Sequence, residues 1–248
     1  MSFGIVGTDV MERVNWTRLR KEKKEKALNN IKKAGLGAVL MMYEENIRYV
    51  TSTHGPEWTK TIPGLRCALL LADGETVVYE QGDNRYQTMR HSPWIKKENV
   101  RYAYPWTKGA AGPANEYQAK RLIESVKKYM AEHGVADLPL GVDFADLNML
   151  KAFKDLNVEW TDGLMPLLEA RAVKTSDEIE ALRIAAAIAD GMHYEASRIL
   201  KPGIKENEVV AHLMKYAFSV PGMEHVENII VCSGPNAWPN WRTFTDRI

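Results

Sequence analysis

The side chains best suited to chemistry lie close together near the end of the sequence, in Ser233-Gly234-Pro235-Asn236-Ala237-Trp238-Pro239-Asn240-Trp241-Arg242. A guanidinium presents a planar fork of donors that a substrate carboxylate accepts bidentately. Arg242 is the candidate for that part, with an ordinary ion pair to Asp246, four positions on, as the alternative. Trp238 and Trp241 flank the neutral amide of Asn240, and indole faces attract a methylated cation. Plain hydrophobic packing is the competing use of both rings. Ser233 is not a nucleophile of the elbow type, because the G-x-S-x-G turn that exposes such a hydroxyl is missing. One more aromatic needs a reason for its place: Trp58 sits in residues 53–64, THGPEWTKTIPG, a loop with two prolines and two glycines.

The remaining reactive residue types exclude more than they suggest. His193 and His212 fall on expected helices without a second ligand four residues on, so a zinc pair of the metalloprotease kind is absent. Glu224 and Glu227 flank His225, but alternation along a strand puts neighbours on opposite faces. His54, His91 and His133 fall in loops or at helix ends, where solvation is the default. Cys67 and Cys232 stand in apolar surroundings far apart in sequence and read as two buried thiols of a reducing cytosol. With 45% apolar and 26% charged residues among 248, the chain is that of an ordinary soluble globular protein. A formal net charge of +1 leaves no electrostatic footprint for nucleic acid or an anionic membrane. The start, MSFGIVGTDV, lacks a signal peptide's basic and apolar regions, and no apolar run reaches the roughly 20 residues of a membrane span. A cytoplasmic location is expected.

The elements that must position these residues follow from periodicity. Residues 1 to about 14 have none and read as a docking arm. From Trp16 a basic amphipathic helix carries Trp16, Leu19, Ala27, Ile31 and Ala34 on one side, and the mixed charges of KEKKEK read as its solvated face. Gly35-Leu36-Gly37 ends it, before a strand and so in the wrong context for a dinucleotide fingerprint. Ala38 to Met42 is a buried strand, followed by a turn at Asn46 to Val50. Arg66 to Ala72 and Glu75 to Glu80 are strands joined by Asp73-Gly74, a pair that readily takes positive φ and closes a hairpin. A strand at Val100 to Tyr104, a helix at Glu116 to His133, a strand at Leu140 to Asp143, a helix at Asp146 to Asp155 and an edge strand at Val158 to Trp160 complete an α/β pattern.

Then the pattern changes. Thr175-Ser176-Asp177-Glu178 has the spacing of a capping box, and its acidic residues suit the positive end of a helix dipole. Ile179, Leu182, Ala186, Ala189, Met192, Ala196 and Ile199 recur at helical spacing until Lys201-Pro202-Gly203. A second helix over Lys205 to Ser219 turns Val209, Val210, Leu213 and Ala217 inward, and Val226 to Cys232 reads as a strand.

The run Arg171-x-x-Lys174-x-x-x-Glu178-Ile179-x-x-x-Arg183-x-Ala185, followed by a short helix and Ser233-Gly234-Pro235-Asn236-Ala237, resembles the creatinase/prolidase group, peptidase family M24. Glu44-Glu45-Asn46-Ile47-Arg48-Tyr49 and the Trp58-to-Arg66 loop are similar to parts of the dimethylsulfoniopropionate lyases, which share the fold but not the peptidase reaction. The resemblance implies an α/β creatinase-like N-terminal domain over residues 1–163. The first part of an α+β pita-bread domain, truncated, follows over 164–248. It implies a homodimer in which the Trp58 loop walls off the partner's site.

The resemblance also implies two divalent metal ions held by two aspartates, a histidine and two glutamates, none of which has a matching position here. The chain is therefore expected to be an inactive fragment of a longer enzyme, with apolar helix faces and an unpaired strand left open. Peptidase members carry a histidine where this sequence has Asn240 and Trp241. That departure points to a small osmolyte or betaine-like substrate over a dipeptide, with Trp58, Trp238, Asn240, Trp241 and Arg242 as the substrate-binding residues. The leading expectation is a hydrolase acting on a C–N bond of a small molecule or Xaa-Pro peptide. A dimethylsulfoniopropionate-type lyase and a non-catalytic scaffold subunit are the alternatives.

Overall fold

The computed structural model describes residues 13–56, 59, 61–220, 229–238 and 244–246. The chain divides into two compact units, Trp16–Thr175 and Met1–Asn15 with Ser176–Ile248.

The first unit runs through helix α1 (Trp16–Lys33), strand β1 (Ala38–Met41), helix α2 (Glu44–Thr51) and strands β2 (Cys67–Leu71) and β3 (Thr76–Glu80). Helix α3 (Asn84–His91), strand β4 (Val100–Tyr102), helix α4 (Asn115–Glu132) and strand β5 (Leu140–Val142) follow. Helix α5 (Leu147–Asp155), strand β6 (Trp160–Asp162) and helix α6 (Leu164–Ala172) close it. The strands form one mixed sheet in the order β4-β3-β2-β1-β5-β6. β2 is antiparallel to both β1 and β3, while β1–β5, β5–β6 and β3–β4 are parallel.

Every residue of β1, β2 and β3 is buried, which is why their sequences AVLM, CALLL and TVVYE are apolar almost without alternation. The two-residue period of a strand sends neighbours to opposite layers. Leu40, Leu69 and Tyr79 pack with Leu122, Val126 and Phe153 of α4 and α5. Val39, Leu70 and Val78 pack with Ile31 of α1, Ile47 of α2 and Leu167 of α6. The result is a sheet between two helical layers. The expected hairpin is present: Gly74 takes φ +96°, its N–H donates to Leu71 O at 2.8 Å, and Glu75 N–H donates to the Asp73 carboxylate at 2.9 Å.

Sequence and structure part in several places: helix α6 was not expected, and the edge strand expected at Val158 to Trp160 is Trp160–Asp162. The turn expected at Asn46 to Val50 is helix α2, because Glu44 and Glu45 fill its first turn while Ile47 and Val50 reach the core. Helix α3 was hidden in a polar stretch, and its one buried side chain is Thr88. The strand expected at Val226 to Cys232 lies partly outside the described residues, and 229–232 join no sheet among them. A strand needs a neighbour for its backbone groups.

The second unit is built on α7 (Ser176–Ile199) and α8 (Glu206–Ser219). The four residues expected to face inward from α8, Val209, Val210, Leu213 and Ala217, are buried. The stripe on α7 behaves differently: Ile179 and Leu182 are exposed, Leu182 at 55%, and the side chain buried on this helix is Asp177. The Asp177 carboxylate accepts the backbone N–H of Asn15 at 2.9 Å. Gly191 lets the helices approach, since a Cβ there would lie 2.0 Å from the Tyr216 hydroxyl oxygen. Between the helices His212 Nε2 and Glu195 Oε2 are 3.1 Å apart. No described helix is long and apolar enough to cross a membrane.

Candidate functional site

The segment singled out in the sequence begins at Ser233, and the structure ties that residue to the first turn of α8. Glu206 Oε1 accepts the Ser233 backbone N–H at 2.7 Å and its hydroxyl at 2.8 Å. Glu206 Oε2 accepts the Thr245 N–H and hydroxyl, each at 2.9 Å. Asn207 N–H donates back to Thr245 O at 2.9 Å. Glu206 is 3% exposed. The Ser233 hydroxyl, working against burial, and then the Thr245 donors hold its carboxyl at about 2, well below the usual range. The helix itself is begun by Glu208, whose carboxylate accepts the Lys205 N–H at 3.2 Å. This is half of a capping box, since a lysine side chain has no acceptor to complete it.

Past Ser233 the chain makes a 3₁₀ turn at Gly234–Asn236, with Pro235 inside it and Gly234 at φ +50°. Trp238 follows at 80% exposure, its indole outside any core. Trp58, Asn240, Trp241 and Arg242 lie outside the described residues. Of the five predicted substrate residues, Trp238 is therefore the one with a described position. Beside this segment an apolar groove of about 900 Å³ runs between α7, α8 and residues 229–233, with Met192, Val209, Leu213 and Ile230 in its walls. His193 and Cys232 also border it.

Two buried polar clusters in the first unit escaped the sequence reading. Arg66, 2% exposed, donates through Nη1 to Glu44 at 2.8 Å and through Nη2 to Glu80 at 2.8 Å. Its Nε donates to Glu80 at 3.0 Å, and Thr53 Oγ1 accepts from Nη2. Burial opposes the charge, but Glu80 and Glu44 hold the guanidinium above its ordinary value. Thr88 donates to Glu80 at 2.7 Å, and Gly55 N–H approaches Glu44 at 3.4 Å. The cluster anchors the start of the 53–64 loop. Its signal in the sequence was faint: an arginine opening an apolar strand and a glutamate closing the next.

In the second cluster Asp143, just past β5, accepts Met42 N–H at 2.7 Å, Tyr43 N–H at 3.3 Å and Asn46 Nδ2 at 2.9 Å. Asn46 Oδ1 accepts from Arg171 at 3.0 Å. Burial pushes the Asp143 carboxyl up to about 6 against these donors. The carboxylate joins the end of β1 to the start of α2.

Neither cluster fits a metal ion. Glu44 and Glu80 already surround a guanidinium, and Asp143 is filled by N–H donors. Among the described residues no three His, Cys, Asp or Glu side chains gather in a way that could hold one. Cys67 and Cys232 are not joined in a disulfide; Cys67 is buried, whereas Cys232, expected to be buried, is half-buried, and burial pushes the Cys67 thiol far above its usual value.

Comparison with known proteins adds the ancestry. Residues 180–247 match Metallopeptidase family M24. Over its whole length the chain is 26% identical to dimethylsulfoniopropionate lyase DddP of Roseovarius nubinhibens, of which it covers 56%. Over 90 residues, 32% of the chain and 18% of the relative, it is 36% identical to the Xaa-Pro dipeptidase of Rattus norvegicus. The prolidase of Pyrococcus horikoshii OT3 shares its fold, with a TM-score of 0.59 at 18% identity over 91% of this chain and 56% of that one. The chain spans about half the length of the lyases it matches. Residues 180–247 are thus part of a peptidase M24 domain, in a chain homologous to the DddP lyases and the Xaa-Pro dipeptidases.

Proposed function

We propose that this chain is the N-terminal part of a metal-dependent, creatinase/prolidase-like hydrolase that acts on a C–N bond of a small molecule or Xaa-Pro peptide. The family match over residues 180–247 carries this reading, and the likeness to an Xaa-Pro dipeptidase supports it. In it an α/β domain over 1–163 sets specificity and the dimer, and 164–248 opens the pita-bread catalytic domain. The divalent ions are held by ligands outside the described residues, and these 248 residues alone are inactive. Substrate meets Trp58, Trp238, Asn240, Trp241 and Arg242 in a cytoplasmic homodimer. Indoles and an amide where peptidase members carry a histidine favour a methylated cationic substrate.

A second reading has its own support. The DddP likeness runs the whole length of the chain, whereas the dipeptidase likeness covers 32% of it. This favours a lyase on the same fold, in which a carboxylate base removes a proton and no water attacks.

Metal analysis of the full-length protein, followed by assay of it with an Xaa-Pro dipeptide and with dimethylsulfoniopropionate, separates these. Bound divalent metal with release of proline is the expected result. Cleavage of dimethylsulfoniopropionate alone selects the lyase. Absence of both metal and turnover overturns the enzymatic reading in favour of a scaffold subunit.

A further inference from the structure

We infer that Glu206 is a positioning residue for the substrate segment: its carboxylate clamps Ser233 and Thr245 together on the first turn of α8 and so holds the chain that carries Trp238. The inference rests on the proposed function for its link to substrate, and on geometry alone for the clamp.

An ionised carboxylate has about four lone-pair sites. Glu206 fills them with four donors at 2.7–2.9 Å, one backbone N–H and one hydroxyl on each oxygen. Such saturation is symmetric, since each oxygen binds one of two residues that are 12 positions apart. Closing the stretch between them costs chain entropy, which four charge-assisted hydrogen bonds offset. Placement in the first helical turn adds the favourable end of the helix dipole. An ordinary cap serves its own helix. Glu206 instead spends both oxygens on partners 27 and 39 residues away, and one of them, Ser233, opens the segment that leads to Trp238.

Glutamine is the discriminating substitution. Its amide nitrogen would face two donors, so either Ser233 or Thr245 loses its acceptor while shape is kept. Hydrogen–deuterium exchange on the protein and on Glu206→Gln reads the clamp without reference to activity. The expected result is exchange about tenfold faster over 229–238, the scale of losing a hydrogen bond to a charged group, with β1–β3 unchanged. In the full-length protein, KM for whichever of an Xaa-Pro dipeptide or dimethylsulfoniopropionate the wild type turns over should rise about tenfold, with kcat within about twofold.

Unchanged exchange over 229–238 overturns the clamp. Faster exchange with unchanged KM overturns its role toward substrate. Failure of the full-length wild type to turn over either probe counts against the proposed function alone, because the exchange result still decides the clamp. Should Glu206→Gln not fold, Thr245→Val removes one hydroxyl donor and must shift exchange in the same direction by a smaller factor.

Discussion

Two buried carboxylates, one in each unit, are displaced in opposite directions. Asp143 in the sheet unit is pushed up to about 6 by burial that outweighs three N–H donors. Glu206 in the helical unit is held at about 2 by four donors that outweigh burial. Both are nearly inaccessible to solvent, so access is not the difference. The donors are: Asp143 accepts three N–H groups, whereas Glu206 accepts four groups, two of them hydroxyls. The comparison shows two ways of holding backbone to a carboxylate. In one a packed core imposes the geometry, and the charge is tolerated. In the other the charge itself supplies the geometry.

The two shifts carry opposite pH dependence by linkage. Asp143 has a raised folded value, so its contribution is most favourable at low pH and is lost as pH rises from about 4 to about 6. Glu206 has a depressed folded value, so its contribution is present above the ordinary carboxyl range and is lost as pH falls toward about 2.

Four measurements break or sharpen this contrast, beginning with the largest effect. Arg66→Ala leaves Glu44 and Glu80 buried without their counter-charge and should cost about 3–5 kcal/mol of the sheet unit's stability, read by urea unfolding. A loss below about 1 kcal/mol would mean that the core tolerates bare carboxylates. Next, Asp143→Asn should remove a fall in stability of up to about 3 kcal/mol between pH 4 and 6; an unaltered pH profile would assign that slope elsewhere. Gly191→Ala should destabilise the α7–α8 pair by about 1–3 kcal/mol through the clash with Tyr216, and adding Tyr216→Ala should recover part of it in a double-mutant cycle. Smallest of all, Lys96→Ala removes an exposed pair with Glu75 and should leave the urea unfolding midpoint nearly unchanged.

The units also differ in how well they could be read in advance. Strands β1 to β3, the Asp73-Gly74 hairpin and helices α1, α4, α5 and α8 were legible because their signals are local: an apolar run, a turn pair, a helical period. Helix α7 was legible as a helix and not as a packed one, since Ile179 and Leu182 recur at the right spacing yet stay exposed. Helix α2 was missed because its eight residues give too few turns for a period to show. The site was legible as a segment of unusual residue types, Ser233 to Arg242. What holds its beginning in place was not.

What the sequence determined by itself is the order of the buried strands and the longer helices, the family resemblance at residues 171–185 and 233–237, and the stretch most suited to substrate. The partners of Arg66, Asp143 and Glu206 belong to the tertiary structure alone. The nearest of them lie 13 to 97 residues away, and no periodicity spans such separations. A charged side chain's partner is set by which backbone ends converge on it after the apolar faces have packed, and that convergence is a property of the whole fold.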